Sequence, residues 1–249
     1  MEKLLQRIIL LKEGVSTQLV DSLREYLEGK LPPKIAVSLE HISYDERAPA
    51  ILASLRIRGP RGERREPLPL EIEVEKEGIK KGSPPKGVIY DGWEYMRYIR
   101  SLLPFHSPSL LYILLTSRLL STEEGGMHHI RTILLGYPCI ISTSGLVEGP
   151  ARSKKFYVAR RLFGDENLYY QVAEKEHFLQ PDDPRLPYVI RGYALQALFY
   201  QLTGKPFCED KGCSLYNAHF QDEMIYAQLE SPYELCPYHK NLLEEFHYG

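Results

Sequence analysis

The arrangement of Cys208, Cys213, Cys236 and His239 constrains this chain more than any other feature. The chain carries only four cysteines in 249 residues, and three of them fall in this one window. Cys208-x4-Cys213 and Cys236-x2-His239 are two short pairs of soft donors, the pattern of a structural zinc site whose ligand pairs are brought together by the fold. Thiolates favour a soft or borderline cation over magnesium or calcium. The alternatives are three unrelated free cysteines with a surface histidine and, weaker, a Cys208 to Cys213 disulfide, which would leave Cys236 unpaired. The four residues predict one zinc ion that staples residues 204–249 to the end of the preceding helix.

That helix is read over about 184–203. Leu195, Leu198, Phe199 and Leu202 recur at i, i+3, i+4 and i+7, which gives a helix one apolar face. Asp182-Asp183-Pro184 supplies an N-cap and a first-turn proline, and Gly204 with Pro206 stops the helix. Bulk composition adds exclusions only. With 31 basic against 33 acidic residues, the formal charge of -2 gives no global signature for nucleic acid or an anionic membrane. The apolar run around Ile8 to Leu11 is too short for a signal peptide, and no stretch approaches the roughly 18 apolar residues of a membrane span. A cytoplasmic location is expected, where clustered cysteines serve as metal ligands more often than as disulfides.

Upstream, residues 7–11 read as a buried strand. Residues 16–28 read as an amphipathic helix capped by Ser16 or Thr17, and Ile35, Val37 and Leu39 as a second strand. This β-α-β opening favours a twisted mixed sheet with packed helices, an α/β (α+β) fold in one domain over 1–249. Residues 49–58 fit strand or helix. Leu70, Ile72 and Val74 alternate with Glu71, Glu73 and Glu75, which predicts a half-exposed strand, and 76–87 then reads as a linker. The arginines at 56, 58, 61, 64 and 65 read as a solvated hairpin rather than a phosphate-binding patch, because an acidic segment adjoins them and no aromatics interleave. A helix over 91–102, opened by Asp91, and a strand over 110–115 follow. IRTILLGYPCIIS, residues 130–142, reads as two short strands hinged at Gly136-Tyr137-Pro138. Cys139 there is a core residue, Ser142 to Gly145 a turn, and His128 and His129 an exposed loop tip. A partly exposed helix is expected from 165 to 179.

The C-terminal half resembles the archaemetzincins, a branch of the metzincin metallopeptidases. Their pattern is His-Glu-x-x-His-x-x-Gly-x-x-His-Cys, then x4-Cys, and further on Cys-x2-Cys. Cys208 and Cys213 align with it without a gap back through the helix, Gly204 falls on the motif glycine, and Cys236 with His239 falls on the closing pair. ILLGYPCIIS matches a strand, glycine, strand succession, and the likeness spans roughly residues 107–240. The segments IISTSGLVEGPA and GYALQALFYQLTGKPFC also resemble an archaeal branch of metallopeptidase-like proteins. The resemblance implies the fold and the structural zinc. It also places the three catalytic zinc ligands at Ala197, Gln201 and Phe207 and the general-base glutamate at Leu198. Histidines four apart on a helix grip the ion and the glutamate takes a proton from its bound water; Ala, Leu and Phe can do neither, and Gln is a poor substitute.

The expected function is therefore a zinc-binding scaffold without catalytic residues that holds a peptide or protein partner. The alternative is a hydrolase whose site has moved among Tyr193, Tyr200, Gln201, Tyr216, Asn217 and His219, with His128, His129 or His177 approaching. A nucleic-acid adaptor that uses the zinc site and the arginine-rich segment is the weaker third reading.

Overall fold

The computed structural model describes residues 5–58, 66–104, 106–152, 157, 158, 161 and 178–248. It opens as the sequence predicts, with β1 (Arg7–Glu13), α1 (Thr17–Lys30) and β2 (Ala36–Glu40). Ser16 caps α1, its hydroxyl accepting from the Leu19 amide. After α2 (Ala48–Ser54), α3 (Pro69–Lys81), β3 (Ile89–Asp91) and α4 (Gly92–Leu102), four strands follow: β4 (Leu110–Thr116), β5 (Leu119–Glu124), β6 (Met127–Arg131) and β7 (Ile133–Leu134). The chain continues through β8 (Cys139–Ser142), α5 (Thr143–Glu148), α6 (Leu186–Thr203), α7 (Gln221–Ile225), a π-helical turn (Tyr226–Glu230) and α8 (Pro237–Tyr248).

Two mixed sheets result. The larger runs β2-β1-β4-β8-β7, with β7 antiparallel and the other neighbours parallel; the smaller runs β3-β5-β6. Alternation along β1 divides the core. Ile8 and Leu10 join α1, α5 and α6 on one face, while Ile9 and Leu11 join α2 and α4 on the other.

Several expectations fail for identifiable reasons. Residues 69–81 form a helix, not a strand. Pro69 opens it, the Glu71 carboxylate accepts the Leu68 amide, and Gly82 at φ 62° closes it. Leu70 and Val74 point outward, 73% and 40% exposed, while Glu75 is buried; a helix that buries its carboxylate and exposes its leucine defeats any reading by hydrophobic period. The predicted linker 76–87 is shortened accordingly, its first half being the last turns of α3. Residues 49–58, left open, are mostly α2. Ser142 is the N-cap of α5, accepting from Gly145, so the expected turn is a short helix. His128 and His129 lie in β6, beyond a tip made by Gly125 and Gly126. The expected helix over 165–179 lies almost wholly outside the described residues, as do His177, Arg61, Arg64 and Arg65.

The central helix also differs from its reading. It starts at Leu186, with Pro187 in the first turn, and Asp183 instead accepts from the Gln180 and Arg185 amides in the preceding turn. It is not one-sided: every residue from Val189 to Phe199 except Arg191 is buried, because the sheet lies on one side and the C-terminal segment on the other. Such all-round burial is how an interior helix is told from a surface one.

A candidate metal centre

The chain leaves α6 through Gly204, whose φ of 74° lets it turn sharply. Cys208 then docks: its amide donates to the Leu215 carbonyl at 2.9 Å. A tight turn follows, in which the Cys213 amide donates to the Asp210 carbonyl at 3.0 Å, the Gly212 amide to Asp210 Oδ1 at 2.9 Å, and the Asp210 amide to Cys208 Sγ at 3.4 Å. Amides aimed at a sulfur stabilise it as thiolate. The second pair sits at the start of α8, where Cys236 immediately precedes the helix, the Lys240 amide donates to its carbonyl, and His239 lies in the first turn.

The four predicted ligands converge. Their donor atoms all lie within 4.8 Å of one another. Cys208 Sγ is 3.9 Å from Cys236 Sγ, and His239 Nδ1 is 3.2 Å from Cys236 Sγ and 3.8 Å from Cys213 Sγ. A tetrahedral zinc with bonds of about 2.3 Å to sulfur and about 2.0 Å to nitrogen sets its ligands about 3.8 Å apart for two sulfurs and about 3.5 Å for sulfur and nitrogen. The donor set thus fits one tetrahedral ion, and none of the cysteines is in a disulfide.

Burial is the electrostatic theme of the site. It pushes the Cys213 thiol up to about 12, raises Cys208, where the neighbouring Cys236 adds to it, and lowers the His239 imidazole. The histidine is thereby kept neutral, the form that ligates, while the Cys208 and Cys213 thiols need a cation's field to ionise. Surrounding contacts fix the ligands: the His239 ring packs edge-on against Phe199 of α6 at 5.2 Å, and Ser214 donates to the Glu234 carbonyl while accepting from Gln196 and Gln228. Glu234 accepts from Tyr26 and Lys30, tying the loop to α1.

The structure places the four positions that the archaemetzincin pattern assigns to catalysis in different surroundings. Ala197 and Leu198 are fully buried in the core between sheet and C-terminal segment. Gln201 donates to the Pro108 carbonyl at 2.8 Å, and Phe207 is 41% exposed. Of the residues expected for a relocated site, Tyr193, Tyr216 and His128 are engaged in the fold, and His219 is held through its backbone. Tyr193 is buried, and the Tyr216 hydroxyl and the His219 amide both donate to Glu223. His128 pairs with Ser121 at 3.2 Å. Cys139 is a core residue as expected, its thiol pushed up to about 11 by burial. Arg56 and Arg58 are not part of the solvated hairpin expected of them: Arg56 is buried against Glu75, Arg58 binds Glu71, and the adjoining acidic segment is α3, whose packing draws the guanidiniums inward.

Sequence reasoning missed a second polar centre. At the carboxyl ends of β1 and β4, Arg118 donates through Nε to Glu13 at 2.9 Å and through Nη1 to Glu75 at 2.9 Å. Glu75 also accepts from Arg56 and Tyr90, and Glu13 from Tyr44, Tyr95 and Thr116. Tyr90 stacks on the Arg118 guanidinium at 4.7 Å. Burial pushes the Glu13 carboxyl up, and the Arg118 charge with three hydroxyl donors outweighs it, leaving the group below its ordinary value. Arg118 lies 43 residues along the chain from Glu75 and 105 from Glu13, separations that no motif spans.

A model of the family described as "Probable metallopeptidase family (DUF6775)" matches residues 4–246. The chain belongs to this family. Among solved structures it is similar to the archaemetzincin of Methanopyrus kandleri, with 12% identity over 98% of this chain and 96% of that one and a TM-score of 0.51. That likeness shows an archaemetzincin-like fold. The zinc-dependent peptidase of Methanocorpusculum labreanum matches with 16% identity over 95% and 99% and a TM-score of 0.48. A malonate-complexed archaemetzincin of Archaeoglobus fulgidus matches with 9% identity over 94% and 98% and a TM-score of 0.47. No curated protein is similar in sequence to this chain. Among the described residues no helix is long and apolar enough to cross a membrane.

Proposed function

We propose that this chain is a non-catalytic member of its family, a single-domain scaffold stapled by one zinc ion at Cys208, Cys213, Cys236 and His239, which presents a surface to a peptide or protein partner in the cytoplasm. The observation that carries this reading is at α6. The positions aligned with the catalytic set hold Ala197, Leu198, Gln201 and Phe207, and the first two are sealed in the core. Zinc hydrolysis requires three protein ligands, an open coordination position and a base beside the bound water, and these side chains provide none of them. The C-terminal cluster cannot take over that role, since four protein ligands close the coordination sphere, which is the arrangement of structural sites.

Metal analysis combined with peptidase assay tests the reading. Protein purified without added metal is expected to carry one zinc per chain, lost in the double variant Cys208→Ser, Cys213→Ser, and to leave a library of fluorogenic peptides uncleaved. Two zinc ions per chain, or cleavage that a chelator stops while the fold survives, would overturn it. A nucleic-acid role finds little support, because Arg56 and Arg58 are spent on internal carboxylates.

A further inference from the structure

In open α/β sheets, ligands bind outside the carboxyl ends of the strands, where neighbouring connections depart in opposite directions. Here that point lies between β1, which leads to β2 on one side, and β4, which leads towards β8 on the other. Beside it opens a cavity of about 470 Å³, within the range of small-molecule sites. Its walls come from the β1–α1 loop, the segment after β2 and the C-terminal end of α3. Ile42, Ile79 and Tyr44 offer an apolar and aromatic lining, and Lys12, His41 and Lys81 bring basic groups to it.

Charge accounting decides what the cavity would accept. Glu13 lines it, yet both carboxylate oxygens already accept from Arg118, Tyr44, Tyr95 and Thr116, so this group is compensated. Glu75 and Arg56 complete a network of two acids and two bases with no net formal charge. The remaining lining charge is positive. Lys12 has no carboxylate partner among the described residues; its ammonium is held by the Thr17 hydroxyl at the start of α1. Among the described residues Lys81 has only the exposed Glu77 beside it, at 3.4 Å. Two ammonium groups, one of them shared with Glu77, suit an anion with several oxygens, and a phosphate monoester carries about two negative charges near neutral pH.

We propose that this cavity binds a small phosphate monoester with an apolar body, its phosphate between Lys12 and Lys81 and its body along Ile42, Ile79 and Tyr44. The site lies apart from the metal centre and does not depend on whether the protein hydrolyses peptides. Phenyl phosphate and inorganic phosphate, titrated at constant ionic strength into ¹⁵N-labelled full-length protein, test it. Phenyl phosphate is expected to bind saturably and more tightly than inorganic phosphate, shifting the amides of Gly14, Ile42 and Gly82. Lys12→Ala and Lys81→Ala are each expected to weaken it at least tenfold, and Lys12→Arg to restore most of the affinity. Lys81 is exposed, so its variant retains the fold and keeps the test decisive. Absence of saturation, benzoate binding as tightly as phenyl phosphate, shifts confined to other residues, or affinity unchanged in Lys81→Ala would overturn the proposal.

Discussion

Among the described residues, two polar centres sit in an apolar interior, and they are completed in opposite ways. The Glu13, Glu75, Arg56, Arg118 network balances its own charge, each carboxylate finding guanidinium and hydroxyl donors within the chain. The Cys208, Cys213, Cys236, His239 cluster holds four electron-pair donors and no positive group in their midst. A self-neutral network contributes through geometry, since the desolvation cost of its ions is comparable to their attraction. A ligand cluster contributes through what it recruits, and structural zinc in small peptides supplies about 10–16 kcal/mol.

This contrast is most severely tested at the metal centre. The double variant Cys208→Ser, Cys213→Ser, or treatment with a strong chelator, is expected to expose residues 204–248 to rapid amide exchange and proteolysis. Protection surviving in that segment without metal would show the cluster to be dispensable. Next in size, Arg118→Met leaves Glu13 and Glu75 buried without their shared partner, and urea denaturation should report a loss of about 3–5 kcal/mol. Exchanging the whole network for apolar residues of similar volume should cost far less, whereas no such exchange at the cluster restores what zinc provides.

Acid separates the centres further. Glu13 titrates below its ordinary value of 4.5 in the folded chain. Its contribution is therefore fully present above that value and lost as pH falls below it. Stability measured from pH 6 downward should begin to fall near pH 4.5, and Glu13→Gln should flatten that part of the profile; an unchanged profile would mean the carboxylate is not held ionised. The smallest effect concerns Gly192. A Cβ there would lie 1.7 Å from Gln228 Oε1, so Gly192→Ala must displace an amide that donates to the Ser214 carbonyl beside Cys213. A loss of about 1 kcal/mol is expected from the broken bond, absent when Gln228→Ala is already in place.

What the sequence disclosed follows the same division. The candidate ligands come in pairs close along the chain, so the grouping of Cys208, Cys213, Cys236 and His239 is legible from spacing, as are the parallel strands of the β-α-β opening. Arg118, Glu13 and Glu75 meet only because β1, β4 and α3 pack together, and nothing local marks them. The same network explains the misread of α3. Once Arg56 and Arg118 donate to Glu75 and hold it inside, the alternation of Leu70, Ile72 and Val74 with glutamates no longer reports which side faces water.

The grip of Tyr26 and Lys30 on Glu234 spans 208 and 204 residues of chain. Closing so long a loop is slow, because its entropy must be met before the contact forms. The loop that carries Cys236 can reach its final place only after the first helix has docked on the sheet. On a chain emerging from a ribosome, ion capture would then be the closing act of folding and not its nucleus, so that a cell short of metal would accumulate a nearly finished protein with a loose end.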